Sequence, residues 1–247
     1  MRADQLLVHR GLAATRSQAQ RLIAGGVRWF DGRAWKPVGK NGDELPDEAR
    51  VELLDAAEAR YVSRGGLKLE GALRTAGLDV TGSRCLDVGQ STGGFTDCLL
   101  QRGAAQVVGV DVGYGQLHER LRTDPRVTAL EKVNARELTP AQVGGGFDLV
   151  TGDLSFISLA LVLPALAPLL KGGGTLLMLA KPQFELRPGD IGKGGIVRDE
   201  SLYAQVECKL RDACAAAGLQ VQGWYPSAIA GGDGNREFFI HARRAAA

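Results

Sequence analysis

The chain has 247 residues, 45% of them hydrophobic and 23% charged, with 34 glycines. That is long for one compact domain and apolar enough to exclude intrinsic disorder, so a small domain joined to a medium one is expected. A net charge of +2 excludes a protein that is basic throughout. The four cysteines, Cys85, Cys98, Cys208 and Cys214, form no C-x-x-C pair and have no neighbouring histidine, which argues against a metal site and reads as the reduced thiols of a cytoplasmic protein.

Charge is unevenly distributed along the chain. Residues 1–40 hold eight Lys or Arg against the two acids Asp4 and Asp31, whereas 41–60 is acidic. A basic lobe before an acidic connector suits phosphate binding, although a charge cluster alone equally describes a solvated face. The apolar run Leu6-Leu7-Val8 is interrupted at once by His9-Arg10, which is not a secretion-signal pattern.

Residues 4–9 read as a short helix. Thr15-Arg16-Ser17-Gln18 reads as a capping box opening a second one, which carries Ala19, Leu22 and Ile23 at helical spacing until Gly25-Gly26. Val27-Arg28-Trp29-Phe30, an Asp31-Gly32 turn and residues 33–38 then predict a β-hairpin. With Arg2-Ala3-Asp4-Gln5-Leu6-Leu7, Gly11-Leu12-Ala13 and Gly26-Val27, the pattern resembles the RNA-binding domain named after ribosomal small-subunit protein S-four. That resemblance covers about the first 55 residues and implies an RNA-facing surface carrying Arg2, Arg10, Arg16, Arg21 and Arg28.

From about residue 61 the texture becomes alternating strands and helices. Apolar runs at 84–88, 106–110, 126–130, 147–150 and 175–179 predict a mainly parallel sheet with helices on both faces. The uncharged stretch 154–170 is shorter than the roughly 20 residues of a membrane span and holds Pro164 and Pro168, so it reads as a buried helix. A late helix at 202–217 is expected behind Asp199 as cap, with Leu202, Val206 and Leu210 on one stripe. Strands at 219–225 and 237–241 are expected to close a doubly wound, Rossmann-like α/β sheet.

The loop Asp87-Val88-Gly89-Gln90-Ser91-Thr92-Gly93-Gly94-Phe95 lies where the first strand of that sheet meets its helix. Ligands of open α/β sheets bind at such strand ends. Asp111 ends the second strand and is followed by Val112, Asn134 follows the third, and Asp153-Leu154-Ser155 follows the fourth. A dinucleotide remains an alternative, but the loop lacks G-x-G-x-x-G and needs no pyrophosphate cradle. S-adenosylmethionine, which has no phosphates, fits better. Gln90 stands where a small residue is expected, and its side chain is expected to lie beside the pocket.

Four charged residues fall where they could converge on the same face: Lys68 in the first helix after Ser63-Arg64-Gly65-Gly66, Asp153, Lys181 after an apolar strand, and Glu237 at the start of the last strand. Each has a structural alternative as an ordinary solvated charge. The segments Tyr61-Val62-Ser63-Arg64-Gly65-Gly66-Leu67-Lys68-Leu69, the glycine loop continued through Thr96-Asp97-Cys98-Leu99-Leu100, Lys181-Pro182-Gln183-Phe184-Glu185, Lys193-Gly194-Gly195 and Gly234-Asn235-Arg236-Glu237-Phe238 together resemble the TlyA family over nearly the whole chain.

The resemblance implies an S-four-like domain at 1–59, a linker at 60–63 and an FtsJ-like methyltransferase domain at 64–247. It implies 2′-O-methylation of ribosomal RNA, with cytidine as the expected nucleotide. Lys68, Asp153, Lys181 and Glu237 would form a catalytic tetrad in which Asp153 and Glu237 hold Lys181, while Arg64, Arg187 and Lys193 would position the target strand. The expected partners are ribosomal RNA or ribosomal subunits, without membrane or metal, and the expected state is a monomer. The competing readings are a membrane-damaging hemolysin, a label this family also carries, and a non-catalytic ribosome assembly factor.

Overall fold

The computed structural model describes residues 1–54 and 60–246, so the end of the acidic connector, 55–59, lies outside the described residues. The chain forms two compact units, Met1–Gly66 and Leu67–Ala247. The division falls a few residues beyond the 60–63 stretch. Tyr61 and Val62 are buried, and the Gln18 side chain donates to the Tyr61 carbonyl at 3.2 Å.

In the first unit, α1 (Ala3–His9) and α2 (Arg16–Gly26) pack against a three-stranded antiparallel sheet of β1 (Val27–Phe30), β2 (Trp35–Pro37) and β3 (Arg50–Leu53). Its order is β2-β1-β3. Thr15 caps α2 by accepting from the Gln18 amide at 3.2 Å. The Gln18 side chain accepts from the Ala14 amide instead of returning to Thr15, so only half of the expected capping box forms. The hairpin also differs from expectation. Phe30 pairs with Trp35, leaving a four-residue loop in which the Asp31 carboxylate accepts from the Arg33 and Ala34 amides at 2.8 Å. Strand β3 was hidden in the acidic connector, because a four-residue strand with two charges has too little periodicity to stand out.

The core of this unit is Ala3, Leu6, Leu7, Ala19, Leu22, Ile23 and Val27 with residues from the sheet and its loops. Asp4 is also buried there, 0% exposed. Burying a carboxylate is costly unless it is paired, and Arg2 (3.0 Å) and Arg16 (2.9 Å) both reach it. The Arg2 hydrogen bond, helped by those of Arg16 and Gln20, holds the Asp4 carboxyl well below the usual range.

The second unit opens with α3 (Gly65–Ala76), which begins just before the boundary. It continues with β4 (Arg84–Val88), α4 (Gly94–Gln101), β5 (Gln106–Asp111), α5 (Glu119–Arg122), β6 (Val127–Glu131), α6 (Pro140–Val143), β7 (Phe147–Gly152), α7 (Leu163–Leu166), β8 (Leu170–Ala180), α8 (Pro182–Glu185), α9 (Ser201–Ala216), β9 (Leu219–Pro226) and β10 (Phe238–Arg244). The sheet order is β6-β5-β4-β7-β8-β10-β9. Only β10 runs against its neighbours. The chain steps from β4 outward to β6 and then returns to β7 on the other side of β4, which places a topological switch point, and therefore a crevice, at the carboxyl ends of β4 and β7.

The stretch 154–170 is not one helix. It is a 3-10 turn at Leu159–Leu161, the single turn α7, and a second 3-10 turn at Ala167–Leu169. Pro164 and Pro168 each sit in the first turn of a segment, where a missing amide costs nothing, and each prevents the previous turn from continuing. All three pieces are nonetheless buried through Leu159, Val162, Leu163, Leu166 and Leu169. On α9 the buried stripe is Val206, Leu210 and Cys214, one turn later than expected. Asp199 accepts from the Ser201 amide and hydroxyl just ahead of the helix.

Candidate active site

At the carboxyl ends of β4, β5 and β7 lies a cleft of about 320 Å³, lined by Gly89, Ser91, Val110, Asp111, Val112, Gln116, Val133, Ala135, Asp153, Leu154, Ser155 and Phe156. Its floor requires glycine at 89. Gly89 has φ +82°, and a Cβ there would stand 2.7 Å from the Asp153 carbonyl oxygen. The Asp111 carboxylate is oriented by two backbone amides, Ser91 at 2.7 Å and Gly113 at 2.7 Å, which leaves lone pairs for a ligand hydroxyl. Ser91, itself at φ +48°, donates its hydroxyl to Gln116 at 3.1 Å.

Of the residues expected to hold the cofactor, Gly89, Ser91, Asp111, Val112, Asp153 and Leu154 line this cleft. Asp87, Thr92, Gly93, Gly94, Phe95 and Asn134 do not. Asp87 is buried beneath the loop, where its carboxylate accepts from the Thr96 amide at 3.0 Å and hydroxyl at 2.7 Å, and burial pushes it up to about 7. Gly93 and Gly94 form the start of α4 against Leu117 and Leu121. Phe95 stacks on Phe239 with ring centroids 6.1 Å apart, and Asn134 caps the 3-10 turn at Ala135–Glu137. These side chains shape the loop and turn around the cleft without facing it.

Gln90 departs from expectation in the same way. Its side chain turns inward, donates to the Thr96 hydroxyl at 2.9 Å and fills the space over Gly109, where a Cβ would clash with the carboxamide at 2.0 Å. A long side chain at 90 and no side chain at 109 are complementary. The cleft-lining residues that sequence reasoning missed are Val110, Gln116, Val133, Ala135, Ser155 and Phe156. Ser155 stands two residues after Asp153 and was within reach of motif reasoning. Phe156 was not, since nothing in the sequence says that a phenylalanine in this loop is 91% exposed with φ +64°.

Beside the cleft, four charged side chains from α3 and three strand ends form a chain of alternating sign. Glu237 pairs with Lys68 at 2.6 Å, Lys68 lies 3.8 Å from Oδ2 of Asp153, and Asp153 pairs through Oδ1 with Lys181 at 2.5 Å. Lys181 also donates to the Ser155 hydroxyl at 2.9 Å. Lys68 and Glu237 are buried, and burial raises the Glu237 carboxyl above its usual value against the opposing pull of Lys68. The expectation that Glu237 holds Lys181 is therefore corrected: Glu237 holds Lys68, and Lys181 is held by Asp153 and Ser155.

Two further side chains, not assigned roles from sequence, tie the strand-end loops together. The buried Glu185 carboxylate accepts from the Ser158 hydroxyl (2.5 Å), the Leu159 amide (2.6 Å) and Lys209 (2.9 Å), joining the segment after β7 to that after β8. Asn235 accepts from the Val197 amide and donates to the Gly195 carbonyl, each at 2.9 Å. It thereby joins the loop carrying Lys193 to the segment that carries Glu237.

The expected RNA-facing arginines are largely engaged within the protein. Arg2 and Arg16 hold Asp4, Arg10 donates to the Ala49 and Asp47 carbonyls, and Arg28 pairs with Glu52 at 2.7 Å. Arg21 is half-buried on α2, and Arg64 is half-buried in the first unit. Arg187 and Lys193 are exposed in the second unit.

Among the described residues none that lines the cleft is Lys or Arg, two are carboxylates, and the walls are apolar at Val110, Val112, Val133, Ala135 and Leu154. Such a donor set disfavours a phosphorylated nucleotide and suits a phosphate-free nucleoside bearing positive charge. The fold and cleft thus define a methyltransferase of the S-adenosylmethionine-dependent class.

Comparison with known proteins agrees. Residues 61–244 match the FtsJ-like methyltransferase family. The chain is 46% identical over 242 residues to the 16S/23S rRNA (cytidine-2′-O)-methyltransferase TlyA of Mycobacterium tuberculosis, covering 98% of this chain and 89% of that one. It is 35% identical to Hemolysin A of Brachyspira hyodysenteriae, covering 98% and 99%. A solved hemolysin-named structure from Streptococcus thermophilus superposes with a TM-score of 0.77 at 42% identity, covering 99% and 88%. The chain belongs to the TlyA family of FtsJ-like, S-adenosylmethionine-dependent methyltransferases. Among the described residues no helix is long and apolar enough to cross a membrane.

Proposed function

We propose that this protein methylates a ribose 2′-hydroxyl of ribosomal RNA, with cytidine as the target nucleotide. The observation that carries the reading is the position of Lys181, fixed between Asp153 and Ser155 where both of those residues line the cofactor cleft. Bound S-adenosylmethionine supplies an electrophilic methyl group on a sulfonium. Asp111 would receive its ribose hydroxyls, while Val110, Val112, Val133 and Leu154 would enclose its apolar surface.

A ribose hydroxyl holds its proton tightly, so the protein has to place the oxygen and stabilise the negative charge that grows as the proton leaves. Lys181 donates to that oxygen, and the hydroxyl proton passes to solvent. Asp153 and Ser155 keep its long, flexible side chain in one place, and Lys68 with Glu237 keeps Asp153 in turn. Because charges alternate along this chain, each group has an opposite neighbour, which makes the burial of Lys68 and Glu237 tolerable.

RNA engagement supplies the rest of the reading. Phe156 offers an exposed ring, tilted against Phe184 at 5.2 Å, on which an unstacked base can lie. Its left-handed backbone is a strained state for a phenylalanine, of the kind found at ligand contacts. Arg187 and Lys193 hold the target strand, and the first unit, as an S-four-like domain, adds phosphate contacts through those of its arginines that stay accessible. The protein acts on ribosomal RNA or subunits in the cytoplasm, as a monomer.

The test is transfer of labelled methyl from S-adenosylmethionine to ribosomal RNA and subunits, with the product mapped as an alkali- and nuclease-resistant ribose. Transfer by the unsubstituted protein that disappears in Lys181→Ala, with cofactor binding retained, is the expected result. Cofactor binding without transfer to any ribosomal substrate would overturn the choice of substrate.

A further inference from the structure

The three-stranded sheet of the first unit has two unlike faces. Strand alternation puts Trp29, Val51 and Leu53 toward the helices, where they pack on the core. The register pairs Phe30 with Trp35 on one side and Arg50 on the other, and pairs Arg28 with Glu52, so these residues share the opposite face. A face directed away from the core would ordinarily carry small polar side chains. Here it carries two aromatic rings with centroids 5.6 Å apart, and Trp35 remains 36% exposed.

Guanidinium groups lie over these rings. Arg28 stands 5.0 Å from the Trp35 centroid, and Arg50 stands 5.6 Å from Phe30 and 5.8 Å from Trp35. The charges around the rings do not cancel. Glu52 is matched by Arg28 at 2.7 Å and Asp31 by Lys36 at 2.7 Å, which leaves Arg33 and Arg50 without an acidic partner among the described residues. The surface therefore combines flat apolar rings, a guanidinium stacked beside them and uncompensated positive charge. That is the chemistry that recognises unpaired nucleotides, whose bases stack on aromatic or guanidinium planes while their phosphates seek cations.

We propose that this sheet face is a second RNA contact, which binds an unpaired stretch of the substrate RNA by stacking on Phe30 and Trp35 and by phosphate contact with Arg50 and Arg33. It is separate from the helix arginines, several of which hold the domain together. The inference rests on the reaction proposed above in taking RNA as the partner, but it is read by binding alone.

The experiment uses the full chain with Trp29→Phe and Trp224→Phe, so that Trp35 is the one remaining tryptophan, and follows its fluorescence as a short oligouridine, a blunt RNA duplex or an acidic peptide is added. Quenching by oligouridine that exceeds quenching by the duplex is expected. In the otherwise unsubstituted chain, Trp35→Leu is expected to weaken oligouridine binding roughly tenfold. Arg50→Gln, an exposed change that leaves the core alone, is expected to reduce the slope of log affinity against log salt by about 0.7.

Unchanged fluorescence with oligouridine, or an Arg50→Gln variant with unaltered affinity and salt slope, would overturn the contact. Quenching by the acidic peptide alone would overturn it in favour of a protein partner. Neither result bears on methyl transfer, which is measured separately. Conversely, an absence of methyl transfer to ribosomal RNA would defeat the proposed reaction while the quenching result still stood or fell by itself.

Discussion

Both units bury carboxylates against cations, and they use the pairing for different ends. In the first unit Asp4 is fully enclosed, while its partners Arg2 and Arg16 keep about half of their side chains in solvent. In the second unit the cations are enclosed as well: Lys68 and Lys181 have side chains about one-tenth exposed, and the group with the most access is Asp153, at the cleft. An enclosed acid between exposed arginines is a clasp, because nothing at its centre can meet a ligand. An enclosed lysine at the rim of a cleft is positioned to act on one. The difference teaches that arginine count alone overstates how much of a basic lobe is free to bind RNA.

The largest effect expected from breaking this contrast is at Lys181. Lys181→Ala should lower methyl transfer by about a hundredfold or more at saturating cofactor and RNA, with the melting temperature little changed, as radiolabel transfer and thermal denaturation would show. A similar melting temperature with near-normal transfer would make the second cluster a clasp like the first. Next is Asp4→Ala, which should destabilise the protein by about 1.5–3 kcal/mol through loss of charged hydrogen bonds, read by denaturant unfolding.

The sign of the pH dependence at Asp4 follows from its lowered pKa. Its contribution is present above the unfolded value near 4 and is lost as pH falls through the lower folded value. Acid denaturation of Asp4→Ala should accordingly be shallower than that of the parent.

A smaller effect is expected at Phe156. Phe156→Ala should weaken RNA binding or raise KM about tenfold, as one lost base stack would, and should leave stability unchanged because the ring is so exposed. Smallest is Asp87. Its folded pKa, about 7, is raised by burial, so the stabilising effect of its protonated form is complete below the unfolded value near 4 and declines as pH rises to about 7. Asp87→Asn, which can still accept from Thr96, should flatten the stability profile between about pH 4 and 7. An unaltered profile in equilibrium unfolding would mean that the carboxyl is charged despite its burial.

Much of the site was legible because strand ends are legible. Short apolar runs locate β4, β5 and β7, and the polar residues that end them, Asp111 and Asp153, must then face a common crevice whatever the rest of the chain does. Lys68, Lys181 and Glu237 were candidates from their places in the first helix and beside strand ends, and motif resemblance gave them a joint role, since as single residues they look like solvated charges. Gln90 and Asn134 were misread for one reason: a position in a loop does not say which way its side chain turns. The direction of Gln90 depends on Gly109, nineteen residues away on the neighbouring strand, and the cap formed by Asn134 depends on the turn that follows it.

The sequence by itself determined the order of elements, the α/β class, the glycine loop and the identity of the charged residues, because these follow from local periodicity, turn chemistry and residue type. Tertiary structure alone decided which charge meets which. It paired Glu237 with Lys68 and not with Lys181, committed Arg16 and Arg28 to internal acids and left Phe156 in solvent. Each of those outcomes depends on distances between residues far apart in the chain, and electrostatic pairing and burial fall off over a few ångströms that no one-dimensional pattern encodes.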